Sequence, residues 1–258
     1  MKVTFLGTGT SCGVPFPTCQ CEVCTSKDPR DNRLRCSCLV ETSQGQNLLI
    51  DCGPDFRQQA LRAGLTHIDA LLVTHNHFDH VAGLDDLRAF CYESPLATYA
   101  DATVSATFID KYDYIFVHRY PGVPKMDLHP TAPEEVLTFG DTVVRPIQIF
   151  HGKLPIYGWR VGDLAYLTDC TSIPEQEWSK LQGIDTLIID ALRWTPHPTH
   201  FSVEQALEVV HRMQPRQTYF THMGHAIGLH AQTDTKLPAG VHLAYDGLVI
   251  EVNDAPAR

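Results

Sequence analysis

Thr74-His75-Asn76-His77-Phe78-Asp79-His80 sets three imidazoles and a carboxylate within six consecutive positions, directly after the apolar run Ala70–Val73. Packed that closely, imidazoles repel one another when protonated and lose solvation when neutral. A divalent cation removes both difficulties, because it takes neutral imidazole nitrogen and carboxylate oxygen as ligands at about 2.0–2.2 Å. A plain polar turn after a buried strand has no use for four such groups. The stretch reads as a metal-binding turn carried on the end of a strand.

Working outward, short apolar or β-branched runs bounded by Gly, Asp or polar turns predict further strands. They cover Val3–Leu6, Cys38–Thr42, Asn47–Asp51, Ile68–Val73, Thr142–Phe150, Ile156–Val161, Leu164–Thr168, Thr186–Asp190, Thr218–Thr221 and Gly247–Val252. Helical spacing is expected over Pro54–Ala63, Leu84–Tyr92, Ala102–Tyr112, Pro174–Leu181 and Ser202–Met213, the last with Ser202 as its N-cap. The alternation describes one α/β domain over 1–258. Three further candidate ligands, His151, Asp169 and His222, each follow one of these strands. Side chains at the ends of different strands can converge on one sheet edge.

Two segments lack periodicity. Tyr114–Pro133 contains Pro121, Pro124, Pro130 and Pro133 and reads as a long connection, a lid candidate over 114–133. Its His118, Arg119, Tyr120 and Lys125 could close on an anionic group of a substrate or belong to a solvated loop or an oligomer contact, and Arg193 elsewhere could be an anion contact or a structural ion-pair residue. Gly7–Arg35 is rich in Gly, Pro, Thr and Cys. Within it Cys19-Gln20-Cys21-Glu22-Val23-Cys24 spaces three thiols as C-x-C-x-x-C, and the total of nine cysteines is odd. That usage fits a zinc loop near 12–38 in a reducing compartment better than a disulfide framework. A closed site needs a fourth ligand, for which His225, three residues after His222, is the best candidate. Cys36, Cys38, Cys52, Cys91 and Cys170 lie beside apolar runs and are expected to act as small buried hydrophobes.

With 43% hydrophobic and 19% charged residues over 258 positions, the chain has the composition of a folded globular protein. Its formal charge of −10 argues against sequence-independent gripping of DNA or RNA, which relies on a basic surface. A small anionic substrate is compatible with that charge, because bound cations reverse the sign locally. No apolar run is long enough to span a bilayer, and Met1–Leu6 enters a strand-like pattern without a leader's apolar region. A cytoplasmic location and no membrane partner are expected.

On the H-x-H-x-D-H turn and the ordered His151, Asp169 and His222, the chain resembles the metallo-β-lactamase superfamily from Phe5-Leu6-Gly7-Thr8-Gly9 to Tyr245-Asp246-Gly247. The resemblance implies an α/β fold, a four-layer αββα sandwich. It implies that His75, His77 and His151 hold one divalent ion and that Asp79, His80 and His222 hold a second, with Asp169 bridging. The C-x-C-x-x-C loop with His225 narrows the likeness to phosphoribosyl 1,2-cyclic phosphate phosphodiesterases, in which such a set binds a structural zinc. There a histidine at the place of His200 contacts phosphate and serves as general acid, and Asp79 also orients the attacking water.

The implied function is hydrolysis of a small phosphodiester by a metal-bound hydroxide, with two catalytic ions (Zn or Mn) and one structural Zn. A homodimer is compatible with this family. Two alternatives use much the same residues: a ribonuclease Z-like nuclease, and a non-catalytic metal-binding protein related to coenzyme PQQ synthesis protein B. The charge disfavours the first, and the complete ligand set the second. A thioester or lactam hydrolase fits the aspartate bridge and His200 less well.

Overall fold

Two seven-stranded sheets form the centre of the computed structural model, which describes residues 1–118 and 120–253. The first contains β1 (Lys2–Gly7), β2 (Ser37–Glu41), β3 (Asn47–Ile50), β4 (Ala70–Leu72), β5 (Leu96–Ala100) and β6 (Met126–Pro130) side by side. The second runs β7 (Leu137–Phe139), β8 (Thr142–His151), β9 (Leu154–Val161), β10 (Leu164–Leu167), β11 (Thr186–Asp190), β12 (Gln217–Thr221) and β13 (Val241–Leu243). A last strand, β14 (Val249–Glu251), returns to the first sheet against β1.

Both sheets follow one plan. The order β14-β1-β2-β3 is antiparallel and β3-β4-β5-β6 parallel; β7-β8-β9-β10 is antiparallel and β10-β11-β12-β13 parallel. Alternation along each strand decides which way each side chain is buried. Cys38, Val40, Leu48, Ile50, Ala70 and Leu72 face the other sheet and meet Val144, Trp159, Tyr166 and Ile188. Their sequence neighbours Leu39, Leu49 and Leu71 face outward, under α1 (Phe56–Ala63) and α3 (Ala102–Lys111). On the far side Ile147, Leu167, Leu187 and Phe220 pack beneath Val203, Ala206 and Val209 of α5 (Val203–Met213). The result is the four-layer αββα sandwich. The remaining helices are short: α2 (Phe78–Val81), α4 (Asp113–Phe116) and α6 (His230–Asp234).

Ser202 caps α5 as expected: its hydroxyl accepts from Gln205 N–H while the Gln205 side chain accepts from Ser202 N–H. Over the stretches expected to be α-helical at Leu84–Tyr92 and Pro174–Leu181, the chain forms 3₁₀ helices, Leu84–Phe90 and Glu175–Leu181. Strands β5, β6, β7 and β13 were not apparent from periodicity.

The 114–133 segment is not a structureless lid. It contains the end of α4 and all of β6, an edge strand with a single neighbour, where Pro130 costs no ladder bond. Register places Met126 opposite Leu96, and Lys125 O accepts from Leu96 N–H. Lys125 therefore sits by the start of the parallel strands, whereas the His75–His80 turn follows their finish. Arg119 lies outside the described residues. No helix among the described residues is long and apolar enough to cross a membrane.

Candidate metal centre

Strand ends converge as the spacing suggested. Asp51 follows β3, the His75 turn follows β4, His151 closes β8, Asp169 follows β10, Asp190 ends β11 and His222 follows β12. Asp51, Asp169 and His222 all adopt left-handed backbone, with φ of 61°, 55° and 54°. Non-glycine residues are uncommon there, and such strain gathers at functional sites. Asp51 and Asp169 occupy matching places, each after the first parallel strand of its sheet. The opposite sheet holds the histidine turn in place: Tyr157 N–H donates to Thr74 O and Trp159 Nε1–H to Val73 O. Gly53 lets the chain pass so close that a Cβ there would stand 2.0 Å from Asp79 O.

All seven candidate ligands come together. One set of ligand atoms from Asp79, His80, Asp169 and His222 lies within 4.8 Å of one another, and so does a second from His75, His77 and Asp169. His151 joins the second side, its ring 5.1 Å from that of His77 and 5.7 Å from that of His75. Asp169 belongs to both sets. Its Oδ1 is 3.2 Å from His80 Nε2 and 3.2 Å from His222 Nε2, and its Oδ2 is 3.8 Å from His75 Nε2. His77 is exposed, so the cluster opens to solvent on that side.

The donor chemistry fits divalent ions. His75 Nε2, His80 Nε2 and His222 Nε2 are buried and have no hydrogen-bond partner. Orphaned buried polar atoms are costly unless an unseen group satisfies them. Hydrogen bonds on the opposite ring nitrogens select the required tautomers of His75, His80 and His151, whereas His222 Nδ1 has no partner. His80 Nδ1 donates to Asp51 Oδ2 at 2.7 Å and His151 Nδ1 to Asp169 O at 3.0 Å. The Thr74 hydroxyl gives its proton to Asp51 Oδ2 at 2.8 Å, so its lone pair accepts from His75 Nδ1 at 3.0 Å. Asp51, which the sequence reading left as a strand end, thus orients two histidines. Thr168 Oγ1 donates to Asp169 Oδ1 at 2.9 Å.

Electrostatics point the same way. Burial opposes charge on His80, but Asp169 and Asp51 outweigh it and hold the imidazole well above its usual range. His222 is raised as well, against its burial, by Asp169 and Asp79. His75 is pushed well down, first by burial and then by His80. Burial opposes the ionised forms of Asp79 and Asp169, yet the neighbouring imidazoles hold both carboxyls below the usual range. Stripped of cations, the cluster draws protons onto His80 and His222; cations would take their place.

A second group gathers the cysteine loop. Cys19, Cys21 and Cys24 Sγ stand 3.3, 3.4 and 3.3 Å from His225 Nδ1. Tetrahedral zinc with usual bond lengths separates sulfur from nitrogen by about 3.6 Å, so the set could hold that ion. The same segment braces His222: Met223 N–H donates to Thr8 O, and Thr10 N–H donates to Met223 O.

His200 lies beside the centre, its ring 4.8 Å from those of His151 and His222. Its Nδ1 is 3.2 Å from Asp190 Oδ2, a buried carboxyl that sequence reading also missed, although it too ends a strand. Burial raises Asp190 and lowers His200 to about 4, so the pair favours a neutral form. His197 lies 5.2 Å from His200 between ring centres. Arg193 is committed elsewhere: its guanidinium donates to the Thr195 and Pro196 carbonyls and braces this loop, so it is not the free phosphate contact considered above.

Residues 46–223 match the family model described as the beta-lactamase superfamily domain. A relative from Porphyromonas gingivalis, named octanoyltransferase, is 41% identical over 260 residues, 100% of this chain and 53% of that protein. The chain thus spans about half of that relative's length. The crystal structure of a diphosphatase from the PhnP family is 39% identical, with a TM-score of 0.91 over 99% of both chains. Zinc-bound PqqB from Methylobacterium extorquens shares the fold at 21% identity, with a TM-score of 0.79 over 98% of this chain and 100% of that one. Family match, sandwich topology and strand-end cluster agree: the chain belongs to the metallo-β-lactamase superfamily.

Proposed function

We propose that this protein is a metal-dependent hydrolase of a small phosphodiester, with a cyclic sugar phosphate as the leading substrate class. The observation that carries this reading is Asp169, one carboxylate shared between two groups of unpartnered imidazole nitrogens. His75, His77 and His151 would hold one ion, and Asp79, His80 and His222 the other. Bound there, two divalent ions supply water of lowered pKa and neutralise charge on phosphoryl oxygens.

The protein's own groups do the rest. Asp79 Oδ2 faces His80 and His222 at 3.3 and 3.5 Å, leaving its second oxygen to orient the attacking water. With Asp190 protonated and donating to Nδ1, neutral His200 presents Nε2–H to the departing oxygen. As that proton leaves, the Asp190 proton moves to Nδ1, so the imidazole stays neutral throughout. Cys19, Cys21, Cys24 and His225 would hold a structural zinc.

The likeness to a diphosphatase supports a second reading, cleavage of a phosphoanhydride, because the same cluster can act on either phosphoryl centre. A phosphate leaving group needs less protonation than an alkoxide, which separates the two. Octanoyl transfer is not carried over from a relative matched over 53% of its length. The charge of −10 weighs against a nuclease.

The test is turnover of ribose cyclic phosphates, a dinucleoside diphosphate and bis(p-nitrophenyl) phosphate by protein of measured metal content. His200→Ala should retain its ions and lose about 10²–10⁴-fold in turnover of the cyclic ester, with a smaller loss on the anhydride. Wild-type protein carrying both ions yet inert on all three classes would overturn the reading.

A further inference from the structure

We propose that Cys36 is a positioning residue of the metal centre. Its thiol reaches across from the first sheet and fixes the ends of β10 and β12, so that Asp169 and His222 keep the spacing an ion needs. This role rests on the two-ion reading above and lies beyond the ligands themselves. It is carried by a buried group of polar side chains beneath the cluster that the hydrolytic steps do not use.

Cys36 directly precedes β2 and is fully buried among the residues between the two sheets. Expected as a small buried hydrophobe, it is buried, but its sulfur meets three hydroxyls. Sγ lies 3.1 Å from Tyr166 Oη, 3.1 Å from Thr221 Oγ1 and 3.8 Å from Thr168 Oγ1. Tyr166 lies in β10, Thr168 follows it and Thr221 ends β12. Because β11 runs between β10 and β12, their ends stand two strand spacings apart, roughly 9–10 Å, and one sulfur atom joins them. The hydroxyls of Tyr166 and Thr221 are as deeply buried as the thiol. Buried polar groups need partners, and Cys36 Sγ serves both.

Each threonine directly precedes a candidate ligand. Thr168 leads into Asp169 and Thr221 into His222, and both ligands sit in left-handed backbone, with φ of 55° and 54°. Such conformations persist only where the surroundings hold them, and the thiol supplies a hold common to both. Thr168 Oγ1 also donates to Asp169 Oδ1 at 2.9 Å, and that oxygen stands 3.2 Å from His222 Nε2. A shift of either strand end therefore changes the gap an ion would fill. Ser37, the next residue, braces the other sheet: its hydroxyl donates to Asp51 O at 2.9 Å, on the residue that orients His80. The start of β2 thus ties both sheets together at the centre. A thiol needed for packing alone would be replaced well by valine, which offers no hydrogen bond. Serine keeps the hydrogen bonds and gives up volume, so the two substitutions separate the roles.

The experiment is chelator-competition titration with Co(II), read by absorbance, on wild type, Cys36→Ser, Cys36→Val and Thr221→Val. Near-ultraviolet thiolate-to-metal bands report the loop of Cys19, Cys21 and Cys24 separately from the cluster. Cys36→Val should weaken Co(II) binding at the cluster about 10–100-fold and shift its visible d–d bands, with the thiolate bands unchanged. Cys36→Ser should stay close to wild type in both. Thr221→Val, which leaves Cys36 in place, should reproduce the loss, and combining it with Cys36→Val should add little. Should Cys36→Val not fold, Thr221→Val decides. Wild-type affinity and spectrum in Cys36→Val or in Thr221→Val overturns the proposal, and so does a greater loss in Cys36→Ser than in Cys36→Val. If the wild type binds two ions at the cluster yet cleaves no phosphodiester, the hydrolase reading fails, while these affinities still decide the role of Cys36.

Discussion

Replacing Asp51 by alanine tests how the centre is oriented, since Asp51 is proposed to hold the ions only through other residues. Its carboxylate accepts from Thr74 N–H at 2.8 Å, Thr74 Oγ1–H at 2.8 Å and His80 Nδ1–H at 2.7 Å, in a fully buried position. Asp51→Ala strands three donors, each costing about 1–3 kcal/mol when left unmade in the interior. Alanine at φ 61° adds roughly 1 kcal/mol of backbone strain. Removing a carboxylate that burial already disfavours offsets part of this, so metal affinity is the sharper measure than stability. Loss of a group that orients a ligating histidine typically weakens binding about 10–100-fold, which is roughly 1.4–2.7 kcal/mol.

The assay is chelator-competition titration of the purified protein with Zn or Mn, with metal content measured on the same samples. Asp51→Asn, which tolerates left-handed backbone and keeps one acceptor oxygen, should fall between wild type and alanine. Wild-type affinity in folded Asp51→Ala would refute the claim that Asp51 sets the tautomers of His75 and His80.

Three further outcomes are expected. Gly53→Ala should displace the Asp79 turn and lower bound metal, because its Cβ would overlap Asp79 O at 2.0 Å; crystallography or metal content checks it. For pH dependence, raised His80 and His222 stabilise the ion-free fold below the imidazole's unfolded value, and that contribution is lost as pH rises through their folded values. Above about pH 6.5, therefore, chelated protein should lose stability with rising pH, while metal affinity should increase; denaturant melts of both forms that move in parallel would contradict this. Ser202→Ala should cost about 1 kcal/mol in urea unfolding by removing one half of the α5 capping box.

Local chemistry made much of this protein legible. Four ligand-type residues in one turn, three thiols in another and a capping serine are patterns of neighbours along the chain. His151, Asp169 and His222 could be singled out because each ends an apolar run. Asp51 and Asp190 end strands in the same way, yet their partners, His80 and His200, are 29 and 10 residues away, and only strand order brings them into hydrogen-bond range.

The 114–133 segment shows the converse. Its prolines read as loop because a strand inside a sheet cannot accommodate them, whereas β6 has one neighbour and can. Periodicity along a chain specifies which face of a strand is buried, not which strand lies beside it or at which end of the sheet a loop emerges. Pairing and register therefore decided what the sequence left open: that two half-sheets of one plan meet at Asp169, and that Lys125 stands far from the centre.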